Sequence, residues 1–270
     1  MRRKNGFTLI ELLVVIAIIA VLMAILMPVL SKVRKQARGA VCIAHLRQFA
    51  LIFAMYTDDH DGYFNKGWDV GEVGLWPNSL RPYYKDNEKI LLCPMATKLL
   101  SRHGLGPYAS WDRDIDVPGG GSMLVVSSYT INSWTNYMTK DRGSSAGTRK
   151  KEWFWKNTQG VKNANYIPVF GDGTWNDAWP WPGDNPPVFD GEFGGAGSPG
   201  SSDEMKHFCI GRHGAFIQML FMDWSTRKVG LKELWTLKWH REFNTAGPWT
   251  RAGGCTPDKW PEWMRGFRDY

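Results

Sequence analysis

The sequence lacks the short motifs that mark the common zinc-hydrolase and phosphate-binding sites. It contains no H-E-x-x-H zinc-binding helix and no phosphate-binding loop. The glycines of the VPGGGSM segment do not lie between a strand and a helix, so we interpret that segment as a surface loop. The chain is therefore predicted to have no catalytic residues, no cofactor and no enzymatic activity.

Cysteine is scarce, and the cysteines that are present lie far apart. The spacing contains no C-x-x-C pair and no local cluster of histidine and cysteine, so it predicts no metal site. In an exported domain these residues would allow disulfides, whose pairing the sequence does not decide. The alternative is that all four remain buried thiols: Cys42, Cys93, Cys209 and Cys255.

Net charge is nearly absent from most of the chain. The formal charge of +7 equals the basic residues that flank one apolar run, namely Arg2, Arg3, Lys4, Lys32, Arg34, Lys35 and Arg38. Basic residues beside an apolar run fit contact with lipid headgroups better than contact with nucleic acid. We therefore predict a lipid bilayer as a partner and no nucleic acid.

The apolar run is long enough to cross a membrane. Nineteen residues from Leu12 to Leu30 carry no charge, which suffices for a spanning helix and exceeds the core of a secretory signal. Glu11 stands at the start of this run, although an unpaired carboxylate in lipid costs about 3 kcal/mol or more. Both flanks are basic, so the charge distribution does not fix the orientation.

The residues in front of the run carry a specific pattern. A basic leader, MRRKNG, ends in Gly6 and is followed by Phe7 and, four residues later, Glu11. This pattern resembles the signal of type IV prepilins and type II secretion pseudopilins. The resemblance implies that prepilin peptidase cuts after Gly6 and that the new terminus at Phe7 is methylated. It also implies that Glu11 pairs with the amino terminus of a neighbouring subunit, and that Pro28 loosens the helix during filament packing.

This resemblance implies a structural role, location and set of partners. The chain would be a minor subunit of a type IV pilus or a type II secretion pseudopilus. It would cross the inner membrane once, with a cytoplasmic amino terminus and a periplasmic or extracellular domain. Its partners would be prepilin peptidase, other pilin or pseudopilin subunits and the inner-membrane assembly machinery.

The helix is expected to continue beyond the membrane and to dock on a domain. A stripe of large side chains recurs at steps of three and four residues: Cys42, Leu46, Phe49, Phe53 and Tyr56. The TDDHDG segment, with Gly62, ends this helix. We interpret TDDHDG as a turn rather than a calcium loop, because Trp68 occupies the position that would need a carboxylate.

Later segments also resemble a large bacterial group of pilin-like proteins. They are the helix end, the LLCP segment, and a histidine followed after nine residues by aspartate, here His213 and Asp223. Trp224 stands where that group has glycine. We interpret His213 and Asp223 as a structural signature. Their combination with Asp172 as an acid–base set or as metal ligands is the alternative.

The predicted fold class is α+β, with a long amino-terminal helix packed on an antiparallel sheet with long loops. The proposed divisions are a leader (1–6), an assembly helix (7–30), an extramembrane half (31–62) and a globular domain (63–270). Strands are expected in GSMLVVSSYTIN, NYIPVFGDG, FIQMLFMD and RKVG, and an amphipathic helix in LKELWTLKWHREF. The alternative function is a membrane-anchored module whose tryptophan-rich domain recognises polysaccharide or exported proteins.

Overall fold

A 50-residue helix, α1 (Leu9–Asp58), leads into a domain of short strands and loops. The computed structural model describes residues 8–84, 87–99, 106–144, 147–193 and 203–270. Gly6 and Phe7, the predicted processing residues, lie outside the described residues. Two further α-helices, α2 (Trp76–Ser79) and α3 (Arg81–Tyr84), follow α1. Short 3-10 helices span Gly67–Val70, Glu72–Gly74, Glu88–Leu91, Ser133–Thr135, Lys151–Trp153, Ala164–Tyr166, Glu204–His207, Lys232–Thr236, Pro257–Lys259 and Glu262–Met264.

The strands form a central mixed sheet and two smaller sheets. In chain order they are β1 (Lys98–Leu99), β2 (Ala109–Asp116), β3 (Ser122–Ser127), β4 (Tyr129–Asn132), β5 (Arg142–Ser144), β6 (Gly147–Arg149), β7 (Pro168–Asp172), β8 (Asp177–Ala178), β9 (Phe216–Phe221) and β10 (Thr226–Gly230). The central sheet has the order β10-β9-β7-β4-β8 and is antiparallel except for the β4–β8 pair. Strands β1, β2 and β3 form the second sheet, and β5 and β6 form a hairpin. The α+β fold class is therefore confirmed.

The second half of α1 packs on the central sheet through the predicted stripe. All five stripe residues are buried. The rings of Phe49 and Phe53 lie 4.6 and 5.5 Å from the ring of Phe170 on β7, and Phe49 also contacts Trp76. Burying one such aromatic side chain contributes about 1.5–3 kcal/mol, so this stripe anchors the helix to the domain.

The helix ends where the polar segment predicts. Asp58 is its last residue, and the Gly62 N–H donates to the Thr57 carbonyl oxygen at 2.7 Å. Gly62 has a φ of +85°, which a glycine adopts without steric cost. Asp59 accepts a hydrogen bond from the Tyr83 hydroxyl at 2.7 Å, which ties this turn to α3.

The predicted amphipathic helix at LKELWTLKWHREF is wrong. Only a short 3-10 helix, Lys232–Thr236, forms there, and the chain then becomes extended at Leu237. The backbone groups that would continue the helix bond distant segments. The Lys238 N–H donates to the Tyr166 carbonyl, and the Trp239 carbonyl accepts from Asn132 and Trp155. The apolar residues are nevertheless buried, because tertiary contacts replace the helical ladder while keeping the same face inside.

Tryptophan forms the interior rather than an exposed face. All 15 tryptophans lie in the described part of the chain, and each is either buried or half-buried. Several are fully buried, namely Trp76, Trp111, Trp134, Trp235 and Trp239. Within its described residues, the structure therefore places no fully exposed tryptophan at the surface for the alternative binding module.

Candidate functional site

The first half of α1 is an uncovered apolar rod. From Leu9 to Leu30 the large apolar side chains are 41–79% exposed. An isolated soluble protein seldom exposes a contiguous apolar surface of this size, because such surfaces associate with membranes or with other proteins. The helix is also long and apolar enough to cross a bilayer.

The amino-terminal end of this rod is closed by a capping box. Thr8 donates to the Glu11 Oε2 atom from its backbone N–H at 2.8 Å and from its hydroxyl at 2.7 Å. The Glu11 N–H donates back to the Thr8 hydroxyl at 3.3 Å. These bonds satisfy backbone groups that every helix start leaves free. Both bonds to the carboxylate end on Oε2, so Oε1 has no partner among the described residues.

Pro28 lies inside α1 without ending it. The helix runs from Leu9 to Asp58 through this proline, which cannot donate a hydrogen bond to the Ala24 carbonyl. One rung of the helical ladder is therefore missing near the carboxyl end of the apolar rod. Such a position is where a helix loosens at the lowest cost.

Residues 1–27 match the family described as "Prokaryotic N-terminal methylation motif". The amino-terminal segment is that of a type IV pilin-like precursor. The motif implies processing by prepilin peptidase and assembly with other pilins. No curated protein sequence and no solved structure matches the chain.

The two residues of the predicted signature, His213 and Asp223, have separate surroundings. Asp223 lies in the turn between β9 and β10, where its Oδ1 atom accepts from the Ser225 N–H at 3.0 Å and from the Ser225 hydroxyl at 2.6 Å. Trp224 takes the left-handed conformation, with a φ of +64°, and its ring stacks on Phe53 of α1. The tryptophan thus keeps a turn suited to glycine and adds a contact between the turn and the helix.

His213 instead joins a buried polar cluster beneath α1. Its Nε2 atom lies 3.2 Å from Asp172 Oδ2 and 3.4 Å from Cys93 Sγ. Cys42 Sγ lies 3.5 and 3.7 Å from the two Asp172 oxygens. We call Cys42, Cys93, Asp172 and His213 the buried cluster. Of the predicted acid–base set, the structure brings together His213 and Asp172, and Asp223 has other partners.

Four separate segments supply the buried cluster. Cys42 comes from the docked stripe of α1, and Cys93 follows a 3-10 helix in the LLCP segment. Asp172 is the last residue of β7, and His213 precedes β9. Sequence spacing could not group these residues, since they are separated by tens of positions. The only sequence signal for Cys42 was its place on the buried stripe.

Arg212 and Tyr129 surround the buried cluster with hydrogen bonds. The fully buried Arg212 guanidinium lies 3.3 Å from Asp172 Oδ1 and donates to the carbonyl oxygens of Pro107, Ser128, Ala109 and Gly173. Tyr129 places its hydroxyl 3.3 Å from Cys42 Sγ. The Gln218 N–H donates to Asp172 Oδ2 at 2.9 Å. The carboxylate is therefore held in one orientation.

Burial and charge shift the pKa values of the buried cluster in opposite directions. Burial would raise the pKa of Asp172, but His213 and Arg212 bring it down to about 2. Burial would lower the pKa of His213, but its hydrogen bond and attraction to Asp172 raise it to about 9. Burial, together with Cys93 and Asp172, raises the pKa of the Cys42 thiol well above its ordinary value. At neutral pH, His213 and Asp172 therefore form an ion pair.

A cleft reaches the buried cluster from the side of α1 nearer the apolar rod. Its volume is ≈ 480 Å³, and its lining includes Lys35, Gly39, Tyr108, Arg212, His213 and Lys228. A Cβ atom at Gly39 would lie 3.6 Å from His213 Nδ1, so this nitrogen faces the cleft while Nε2 faces the cluster. The four side chains supply one nitrogen, one oxygen and two sulfur atoms that could hold a metal ion.

Proposed function

We propose that this chain is a prepilin that is cut after Gly6, methylated at Phe7 and assembled into a filament through α1. The observation that carries the proposal is the division of one helix into an uncovered apolar half and a docked half. The motif over residues 1–27 supports the processing step. The divisions 1–6, 7–30, 31–62 and 63–270 follow as leader, assembly helix, extramembrane half and domain.

Assembly would bury the apolar rod twice, first in the bilayer and then among neighbouring helices. In lipid, the rod gains little from further hydrophobic burial, so packing between helices and polar pairing must select the correct register. Glu11 Oε1 is free to accept a charged hydrogen bond from the amino terminus of a neighbouring subunit. A misplaced subunit would leave both charges unpaired in lipid, which is costly.

The domain supports the role of a minor subunit of a type IV pilus or a type II secretion pseudopilus. It extends far beyond α1 and contains many loops between short strands. A bulky domain of this kind limits how densely subunits can pack around a filament. The chain would cross the inner membrane once, with the leader in the cytoplasm and the domain outside the membrane. We assign it a structural role and no enzymatic activity.

Replacing Glu11 tests the assembly step. In the native host, the Glu11→Ala variant is expected to insert and to be processed, but its incorporation into filaments should fall at least tenfold. The measurement is the fraction of subunits in sheared or affinity-purified filaments relative to the membrane pool. Glu242→Ala, which removes an exposed carboxylate of the domain, is the matched control and should assemble normally. Equal incorporation of both variants would contradict the proposal.

A further inference from the structure

We propose that Cys42, Cys93, Asp172 and His213 bind one zinc ion that fastens α1 to the domain. This proposal does not rest on the assembly of the protein into a filament. The sulfur, oxygen and nitrogen ligand atoms lie within 4.8 Å of one another, and all four side chains are buried or nearly so. The ligand types are those of closed, tetrahedral zinc sites with a structural role.

Three of the six separations within the buried cluster match edges of such a tetrahedron, and the ligand atoms all lie within 4.8 Å of one another. Bonds of about 2.3 Å to sulfur and about 2.0 Å to nitrogen or oxygen place sulfur about 3.5 Å from nitrogen or oxygen, and nitrogen about 3.3 Å from oxygen. The observed separations are 3.4 Å for Cys93 Sγ to His213 Nε2, 3.7 Å for Cys42 Sγ to Asp172 Oδ2, and 3.2 Å for Nε2 to Oδ2. An ion at the centre would thus reach all four groups with small movements.

The charges around the site balance with zinc bound. Two thiolates and the Asp172 carboxylate supply three negative charges, and Zn²⁺ with Arg212 supplies three positive ones, while His213 is neutral. A buried group of charges is tolerated when it is compensated in this way. Zinc binding would release one proton from each of the two thiols and one from the His213 imidazolium, since the cysteines ligate as thiolates and the histidine as a neutral imidazole.

A second layer of contacts already orients the ligands. Arg212 donates to Asp172 Oδ1, while Oδ2 faces His213 Nε2 and accepts from the Gln218 N–H. The Tyr129 hydroxyl lies against Cys42 Sγ, where it can donate to a thiolate. Such partners fix the direction of metal ligands before the ion arrives. The cleft beside His213 provides a route from solvent to the site.

Zinc accounts for more of the cluster than a disulfide does. A bond between Cys42 and Cys93 would use two of the four groups and would join α1 only to the LLCP segment. One ion joins α1, the LLCP segment, the end of β7 and the segment before β9. The unfolded chain has no preformed site, so the free energy of zinc binding stabilises the folded state. This stabilisation is greatest where the ligands come from separate segments, as they do here.

The test measures the zinc content of the full-length protein in detergent, purified under reducing conditions without chelators. Elemental mass spectrometry is expected to find about one zinc per chain. In the Cys93→Ser and His213→Ala variants, the zinc content per chain should fall at least tenfold. Cys209→Ser is the matched control, since Cys209 is a buried thiol that contacts Met264 outside the cluster, and it should keep its zinc. Near-ultraviolet circular dichroism of the tryptophans checks that each variant is folded.

Cobalt substitution keeps the test decisive if the variants fail to fold. Wild-type protein loaded with Co²⁺ in place of zinc is expected to show sulfur-to-cobalt charge-transfer absorption and the intense visible bands of tetrahedral cobalt. Wild-type protein without zinc and without these bands would overturn the proposal. So would zinc retained by the folded Cys93→Ser and His213→Ala variants, or a Cys42–Cys93 disulfide found by peptide mass spectrometry in protein from the host.

Discussion

The two halves of α1 share one backbone geometry and have opposite environments. Between Leu12 and Leu30 the side chains are apolar on every side and none of the residues is buried. Between Cys42 and Tyr56 apolar residues recur on one side and are buried, while Arg47 and Gln48 on the other side are exposed. Patterning, and not helix propensity, thus decides whether a segment of this helix stays uncovered or packs on its own domain.

The largest expected difference between the two halves of α1 is in how truncating one large side chain changes the free energy of unfolding of the domain. Phe49→Ala is expected to lower the free energy of unfolding of the domain by about 3–5 kcal/mol, because Phe49 is fully buried between Trp76, Tyr129 and Phe170. Leu22→Ala in the exposed half is the matched control and should change it by less than about 0.5 kcal/mol.

Denaturant unfolding in detergent, followed by tryptophan fluorescence, measures both variants. Equal effects of Phe49→Ala and Leu22→Ala would show that the docked half does not support the domain. A large effect of Leu22→Ala alone would show that the domain packs on the first half of α1 instead of the second.

Acid should destabilise the domain through a group that has no counterpart in the apolar half. His240 is buried among Trp134, Trp153 and Trp181, and neither of its ring nitrogens has a hydrogen-bond partner among the described residues. Burial, aided by Lys238, lowers the pKa of His240 to about 3. The unfolded chain therefore binds an extra proton between that pH and about 6.5, so stability should fall as the pH drops through this window.

The difference between wild-type protein and His240→Leu isolates this contribution. The slope of unfolding free energy against pH should be shallower in the variant by up to about 1.4 kcal/mol per pH unit between pH 4 and 6. Above about pH 7 the two slopes should coincide, because His240 is neutral in both states there. Parallel curves across the whole range would contradict the buried, neutral state of His240.

The smallest expected effect concerns the turn where the docked half ends. Gly62→Ala places a Cβ atom on a residue with a φ of +85°, and this atom would lie 3.0 Å from Asn157 and Gln159 side-chain atoms. We expect a loss of about 1 kcal/mol, measured by the same unfolding assay. Gly183→Ala, at an exposed glycine with open space around it, should stay within about 0.5 kcal/mol of wild type. Equal values for both variants would remove the steric explanation for Gly62.

Local patterns predicted much of this fold. The spacing of Cys42, Leu46 and Phe49 identified the docked face, and apolar runs closed by turn residues identified the strands that became β3, β4, β7, β9 and β10. The order of the central sheet was beyond reach, because β4 lies between β7 and β8 through pairings of distant segments. The helix predicted after β10 was wrong for the same reason. The Tyr166 carbonyl and the Asn132 side chain hydrogen-bond the backbone of the segment that periodicity assigned to a helix.

The two candidate sites differ in the same way. The amino-terminal site could be predicted from the sequence because Gly6, Phe7 and Glu11 are close together in the chain. The buried cluster was not, since its four members meet only after α1 docks and the central sheet forms. His213 drew notice through its separation from Asp223, yet its partners are Asp172 and the two cysteines. Long-range packing created a grouping that no local spacing records.

Amino-terminal mass spectrometry of protein extracted from membranes of the native host tests the central claim most directly. The claim is that the exposed half of α1 is the processed assembly segment of a pilin-like subunit. A mature chain that begins with N-methylated Phe7 is the predicted result. An intact leader in cells with an active prepilin peptidase would contradict it, and α1 would then be only a membrane anchor.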